Sequence, residues 1–230
     1  MEAWKRALVE LTVKKNGLLF GNFQLKSGRR SPYFFNLANV ICDGEGITKV
    51  SEAYAIGLRD FIGLDSIDYI HGPAYKAIAL AGSVALELYK RFGTSKRWGF
   101  DRKQPKDYGV PKEKWLVGDI HDGDRIVILD DTITTGEAKT ESMQKLITHS
   151  GCRDLKFPAS LIMLDRMEKS EDGVLASASL RREGVEVISI LKIKEVFEYL
   201  REREVNGKVY VSSEVYDKFL EYFEKFGGEL

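Results

Sequence analysis

Residues 125–129, RIVIL, form an unbroken apolar run that ends on two adjacent carboxylates, Asp130 and Asp131, followed by Thr132-Ile133-Thr134-Thr135-Gly136-Glu137-Ala138. A short continuous run of aliphatic and β-branched residues predicts a strand buried on both faces, and such strands belong to parallel sheets covered by helices. The rest of the chain follows the same rule. Apolar stretches at 67–71, 98–101, 157–164 and 185–191 read as further strands, and helical spacing marks 3–15, 49–61, 77–92, 136–150, 194–203 and 214–226. Strands alternating with helices of this length call for right-handed crossovers. The predicted fold class is therefore α/β, a mostly parallel central sheet flanked by helices, with ligands bound outside the carboxyl ends of the strands.

Composition narrows the function classes. The 230 residues carry 35 Lys plus Arg against 35 Asp plus Glu. A formal net charge of zero argues against bulk attraction to nucleic acid or an anionic membrane, while leaving room for a local basic site. The two cysteines, Cys42 and Cys152, make neither a CxxC pair nor a ligand cluster, so no protein-held metal centre is expected. The amphipathic, charged start is unlike a signal peptide. No apolar run approaches the roughly 18 residues of a membrane span. The expectation is a cytoplasmic protein in a single domain, residues 1–230.

The acids after RIVIL carry the most specific chemistry. Backbone N–H groups at a helix start, with threonine hydroxyls beside them, suit a monophosphate. Two carboxylates cannot face that phosphate without repulsion, but they can accept hydrogen bonds from sugar hydroxyls nearby. Together they suit a ribose 5-phosphate. The simpler alternative is a capped helix after a strand, with the acids favouring the helix dipole. Neither GxxxxGK[ST] nor GxGxxG after a strand is present.

This stretch resembles the PRPP-binding motif of type I phosphoribosyltransferases. The resemblance implies that fold with a small N-terminal hood, to which residues 1–40 contribute, and it implies that Asp130 and Asp131 hold the ribose. It gives the 5-phosphate to Thr132, Ile133, Thr134, Thr135, Gly136, Glu137 and Ala138. Glu137 departs from the pattern, standing where many family members carry Thr.

Four further stretches resemble the orotate phosphoribosyltransferases in particular. In FGNFQLKSGRRSPYFFN at 20–36, the resemblance implies Lys26 near ribose and pyrophosphate, and Phe34 and Phe35 bordering a flat pyrimidine. Core strand residues are the other reading of that pair and the favoured one for Tyr33, while Arg29 and Arg30 read as a solvated turn. In HGPAYK at 71–76, the loop with Tyr75 and Lys76 is expected on pyrophosphate, and His71 is read as a packing residue. In DRKQPKDYG at 101–109, Arg102, Lys103, Lys106 and Tyr108 would form a mobile lid that neutralises the departing pyrophosphate and reaches a partner subunit's site. Tyr108 stands where many relatives carry His, and VPKEKW at 110–115 replaces a glycine-rich stretch. In LDRME at 164–168, the resemblance gives Arg166 the orotate carboxylate, a bidentate match for a guanidinium, while an ion pair with Glu168 or Asp165 is the local alternative.

What the resemblance implies is transfer of ribose 5-phosphate from PRPP to orotate in pyrimidine (UMP) biosynthesis. It also implies Mg2+ bound mainly through PRPP and a homodimer with shared sites. A phosphoribosyltransferase for another base, and a PRPP-sensing regulator on the same fold, are the alternatives. Residues 204–230 lie beyond the motifs and form a C-terminal extension with no assigned role.

Overall fold

The computed structural model describes residues 1–25, 27–108, 114–133, 137–170 and 173–228, with the backbone alone at 137, 138, 176 and 179. Its central sheet has six strands in the order β5-β4-β3-β6-β7-β8. These are β3 (Tyr69–His71), β4 (Arg97–Asp101), β5 (Leu116–Val117), β6 (Arg125–Thr132), β7 (Lys156–Asp165) and β8 (Glu186–Lys192). All neighbouring pairs are parallel except β5, an antiparallel edge on β4. The carboxyl ends of β4, β3, β6, β7 and β8 therefore share one edge.

Strand β6 lies between two layers, as its composition requires. Val127 and Leu129 enter the larger core with helices α1 (Ala3–Lys14), α3 (Gly44–Gly57) and α4 (Lys76–Phe92). Ile128 points the other way, to Met143 of α5 (Glu137–His149) and Leu180 of α6 (Ala176–Arg182), and Ile126 packs near Leu146. The strand runs three residues past RIVIL, because its ladder with β7 continues through Asp130↔Ile162 and Thr132↔Leu164. Backbone pairing does not stop where the side chains turn polar, so both acids stand on the strand and not in a loop after it.

Helix α3 begins at Gly44, five residues before the predicted start. Asp43 caps it, its carboxylate accepting from Gly46 N at 2.8 Å. At the N-terminus, β1 (Leu18–Gln24) and β2 (Arg30–Phe35) form an antiparallel pair outside the main sheet, followed by the short α2 (Leu37–Val40). At the C-terminus, α7 (Ile193–Leu200) leads to the short pair β9 (Glu204–Val205) and β10 (Lys208–Val209) and then to α8 (Ser213–Phe226). Helix α8 buries Tyr216, Phe219 and Tyr222 in the main core, with Phe219 stacked on Phe197 at 3.8 Å. No helix among the described residues is long and apolar enough to cross a membrane.

Candidate active site

The alternation of β6 sends its two acids to opposite faces of the sheet. Asp131 follows Val127 and Leu129 and meets the first residue of α4, Lys76, whose Nζ donates to Oδ2 at 2.9 Å. Asp130 follows Ile126 and Ile128 and meets α5, where Lys139 Nζ donates to Oδ2 at 2.6 Å and to the Thr132 carbonyl at 2.8 Å. The remaining carboxylate oxygens accept from the next backbone amide, Asp131 N on Asp130 Oδ1 at 2.9 Å and Thr132 N on Asp131 Oδ1 at 2.8 Å. Behind them the buried Tyr54 hydroxyl donates to the Asp130 carbonyl at 2.5 Å.

The loop between β3 and α4 is held beside the acids by a buried network. Gly72 has no room for a side chain, since a Cβ there would lie 2.0 Å from the Ala77 carbonyl oxygen. The Ala74–Tyr75 peptide is cis, and the Tyr75 ring is exposed. Asp101, at the end of β4, accepts from Ala74 N at 3.3 Å, Ser142 Oγ at 3.3 Å, Lys145 Nζ at 2.9 Å and His71 Nε2 at 3.4 Å. Burial alone would raise the Asp101 carboxyl, but the hydrogen bonds from His71 and Lys145 overturn this and hold it below the usual carboxylate range. Asp101 is thus a structural hub and not the first residue of a solvated lid. His71, fully buried and stacked on Tyr69, has the packing role expected of it.

Beyond Asp101 the chain leaves the sheet. Arg102 N and Lys106 N donate to the carbonyls of Trp115 and Lys114, which ties down the base of this excursion. Lys103 is exposed, Lys106 Nζ lies over the Tyr108 ring at 4.7 Å, and Tyr108 is 78% exposed.

Arg166, at the end of β7, is buried. Its Nη2 and Nε donate to Glu168 Oε1 at 2.7 and 3.1 Å, and its guanidinium lies 4.5 Å from the Tyr33 ring centre. The Tyr33 hydroxyl donates to the same Glu168 oxygen at 2.7 Å. Burial keeps the Tyr33 hydroxyl protonated, so it remains a donor to Glu168, and burial also pushes the neighbouring Tyr222 up to about 12. The local ion pair foreseen for Arg166 therefore exists, in a buried setting that orients the guanidinium. The neighbouring turn is also more engaged than a solvated one, because Arg29 Nη1 donates to the Lys169 carbonyl at 2.5 Å and its guanidinium stacks over Phe226.

The aromatic pair divides. Successive residues of β2 face opposite sides, so Phe35 is buried against Leu164 and Leu191 while Phe34 is 38% exposed and packs on Phe23 at 5.8 Å. The two rings therefore do not share a face as expected, for Phe34 alone is exposed and Tyr33 and Phe35 lie in the core. Thr132 and Ile133, both expected on the 5-phosphate, take the last position of β6 and the one after it, with Ile133 buried in the second core. Lys26, Thr134, Thr135 and Gly136 lie outside the described residues, as do the side chains of Glu137 and Ala138. Lys139, Tyr54 and the hub role of Asp101 were not foreseen. Lys139 alone left a trace in the sequence, as a lysine in the first turn of the helix that follows the acids.

No family model matches the chain. Among solved structures, the crystal structure of orotate phosphoribosyltransferase from Francisella tularensis superposes with a TM-score of 0.79 at 28% identity, over 96% of this chain and all of that one. Leishmania donovani UMP synthase superposes with a TM-score of 0.74 at 24% identity, over 96% of this chain and 42% of that one. In sequence, the orotate phosphoribosyltransferase of Aeromonas salmonicida is 38% identical over 89% of this chain and 90% of its own length. That of Clostridium acetobutylicum is 35% identical over 99% of both, so the match takes in the C-terminal segment as well. By this likeness, sustained over nearly its whole length, the chain belongs to the orotate phosphoribosyltransferase family.

Proposed function

We infer that the chain transfers ribose 5-phosphate from PRPP to orotate, giving orotidine 5'-monophosphate and pyrophosphate for pyrimidine biosynthesis. The observation that carries this reading is the arrangement along one sheet edge. A lysine after β3, two carboxylates closing β6 and an oriented guanidinium closing β7 stand on three adjacent strands.

In this reading Asp131 accepts the ribose hydroxyls. Lys76, with Arg102, Lys103 and Lys106, takes the pyrophosphate, Thr132 to Ala138 hold the 5-phosphate, and Lys26 approaches the ribose. Arg166 pairs with the orotate carboxylate while Phe34 borders its ring. The C1–O bond breaks and its electron pair leaves with pyrophosphate. Orotate N1 bonds to C1 and gives up its proton to the medium. The Asp131 carboxylate tolerates the positive charge that develops on the sugar, and positioning with preorganised charge supplies the catalysis.

Mg2+ prefers phosphate oxygens, water and one or two carboxylates, and Asp131 offers such a donor beside the pyrophosphate loop. Held by PRPP and Asp131, it would neutralise the leaving group. The exposed lid residues, Lys103 and Tyr108 among them, support a homodimer in which each subunit's lid covers its partner's site, and the enzyme is proposed to act in the cytoplasm.

Assays of pyrophosphate release with PRPP and Mg2+, using orotate, uracil and hypoxanthine in turn, test the reading. Orotate alone should support turnover. Release with hypoxanthine or uracil in place of orotate would overturn the base assignment. PRPP binding without release of pyrophosphate would favour a sensor.

A further inference from the structure

The two acids of β6 are adjacent in sequence, yet their lysine partners differ in kind. The Lys76 side chain is 55% exposed and free to move toward an incoming anion. The Lys139 side chain is only 3% exposed, and it bonds both the Asp130 carboxylate and the Thr132 carbonyl. It reaches from the first turn of α5 back to the last residues of β6, on the sheet face opposite Lys76. A buried ammonium with two oxygen partners does not leave to greet a substrate, because leaving would strand both its own charge and that of Asp130.

We propose that Lys139 is a positioning residue that silences Asp130, so that only Asp131 carries an available negative charge at the sugar site. This deepens the proposed reaction and rests on it. PRPP brings a phosphate at one end and a pyrophosphate at the other, and a second uncompensated carboxylate between them would repel both. At an effective dielectric of about 20, repulsion between unit charges roughly 8 Å apart weakens binding by a factor on the order of tens. The division of labour follows from strand alternation, since neighbouring acids must face different helices, and here one helix supplies a fixed cation and the other a mobile one. Asp130 would then keep the strand end in shape, and Asp131 would do the work at the sugar.

The experiment measures PRPP affinity by titration calorimetry on the full chain, with thermal unfolding recorded alongside. Lys139→Met should weaken PRPP binding by about tenfold or more. Adding Asp130→Asn should restore it to within about threefold of wild type, because the repulsive charge is gone. A merely structural lysine predicts no such rescue. Equal PRPP affinity in wild type and K139M overturns the proposal. So does a folded D130N/K139M variant that binds as weakly as K139M, and if K139M fails to fold, a folded double variant about tenfold weaker than wild type overturns it as well. Wild-type protein that does not bind PRPP at all overturns the functional reading and this proposal together, which separates that failure from the others.

Discussion

Lys76 Nζ lies 2.9 Å from Asp131 Oδ2, across 55 residues of sequence, and this contact joins the loop after β3 to the acid end of β6. The lysine is more than half exposed, so the pair adds little to stability, about 0.2–1 kcal/mol. Its value lies in readiness, because a pyrophosphate can draw Lys76 away and free Asp131 for the ribose. Lys76→Met should raise KM for PRPP by about tenfold or more, and Asp131→Asn should lower kcat by about a hundredfold, each with thermal unfolding close to wild type. Initial rates and melting curves on both variants check this. Wild-type rates in D131N would remove the central assignment.

The fold was legible because its strongest signals are local. RIVIL fixed a doubly buried strand, and 3.6-residue spacing marked α1, α4 and α8 to within a few residues. The hairpin β1–β2 was missed because its burial alternates through Ser31, Tyr33 and Phe35, a period the run of aromatics conceals. In the site, the acids and Lys76 were readable from motif chemistry. Asp101, Tyr54 and Lys139 were not, since their roles rest on partners 27–76 residues away or on a face that only strand alternation selects. The C-terminal segment carries no motif, yet Phe219 and Tyr222 pack on Tyr33 and so buttress Arg166.

Asp101 gathers a backbone amide, a hydroxyl, an imidazole and an ammonium around one buried carboxylate. Removing Asp101 leaves the largely buried Lys145 with the exposed Glu141, at 2.9 Å, and takes the acceptor away from Ala74 N and Ser142 Oγ. Asp101→Ala should therefore destabilise the protein by about 3–5 kcal/mol, a cost that a surface carboxylate would not carry. Urea denaturation reads the loss, and a change below about 1 kcal/mol would mean that Glu141 and water suffice for Lys145.

His71 gives a pH signature. Burial lowers its pKa, against the opposing pull of Asp101. Its Nε2 donates to Asp101, and its Nδ1 has no partner among the described residues, as suits a neutral ring. Above about pH 6.5 neither folded nor unfolded chain is protonated at this residue. Below it the unfolded chain takes up a proton that the folded chain refuses, so stability falls as pH falls, by up to about 1.4 kcal/mol per unit. The Asp101 carboxyl, held ionised, adds a loss of the same sign only below about pH 4. His71→Asn should flatten the stability slope between about pH 6.5 and 5, whatever its effect on absolute stability. An unchanged slope would show that His71 is protonated in the fold.

Helix α8 sets the last relationship, through Tyr33 to Arg166. Phe219 is fully buried and stacked on Phe197, so Phe219→Ala should cost about 3–5 kcal/mol as a cavity opens in the main core. Arg166 itself is a finer test of base recognition. Its guanidinium already spends Nε and Nη2 on one oxygen of Glu168 and lies over Tyr33 at 4.5 Å, which limits how it can meet a second carboxylate. Lysine keeps the charge but cannot satisfy Glu168 and a bidentate ligand together. Arg166→Lys should therefore raise KM for orotate by about tenfold or more, with KM for PRPP nearly unchanged. Glu168→Gln should raise KM for orotate by a smaller factor, about threefold, since a neutral amide holds the guanidinium less firmly. Steady-state kinetics with each substrate varied in turn separates the two constants. If R166K raised KM for PRPP as much as KM for orotate, Arg166 would be a general support of the sheet edge and not the group that selects an acidic base.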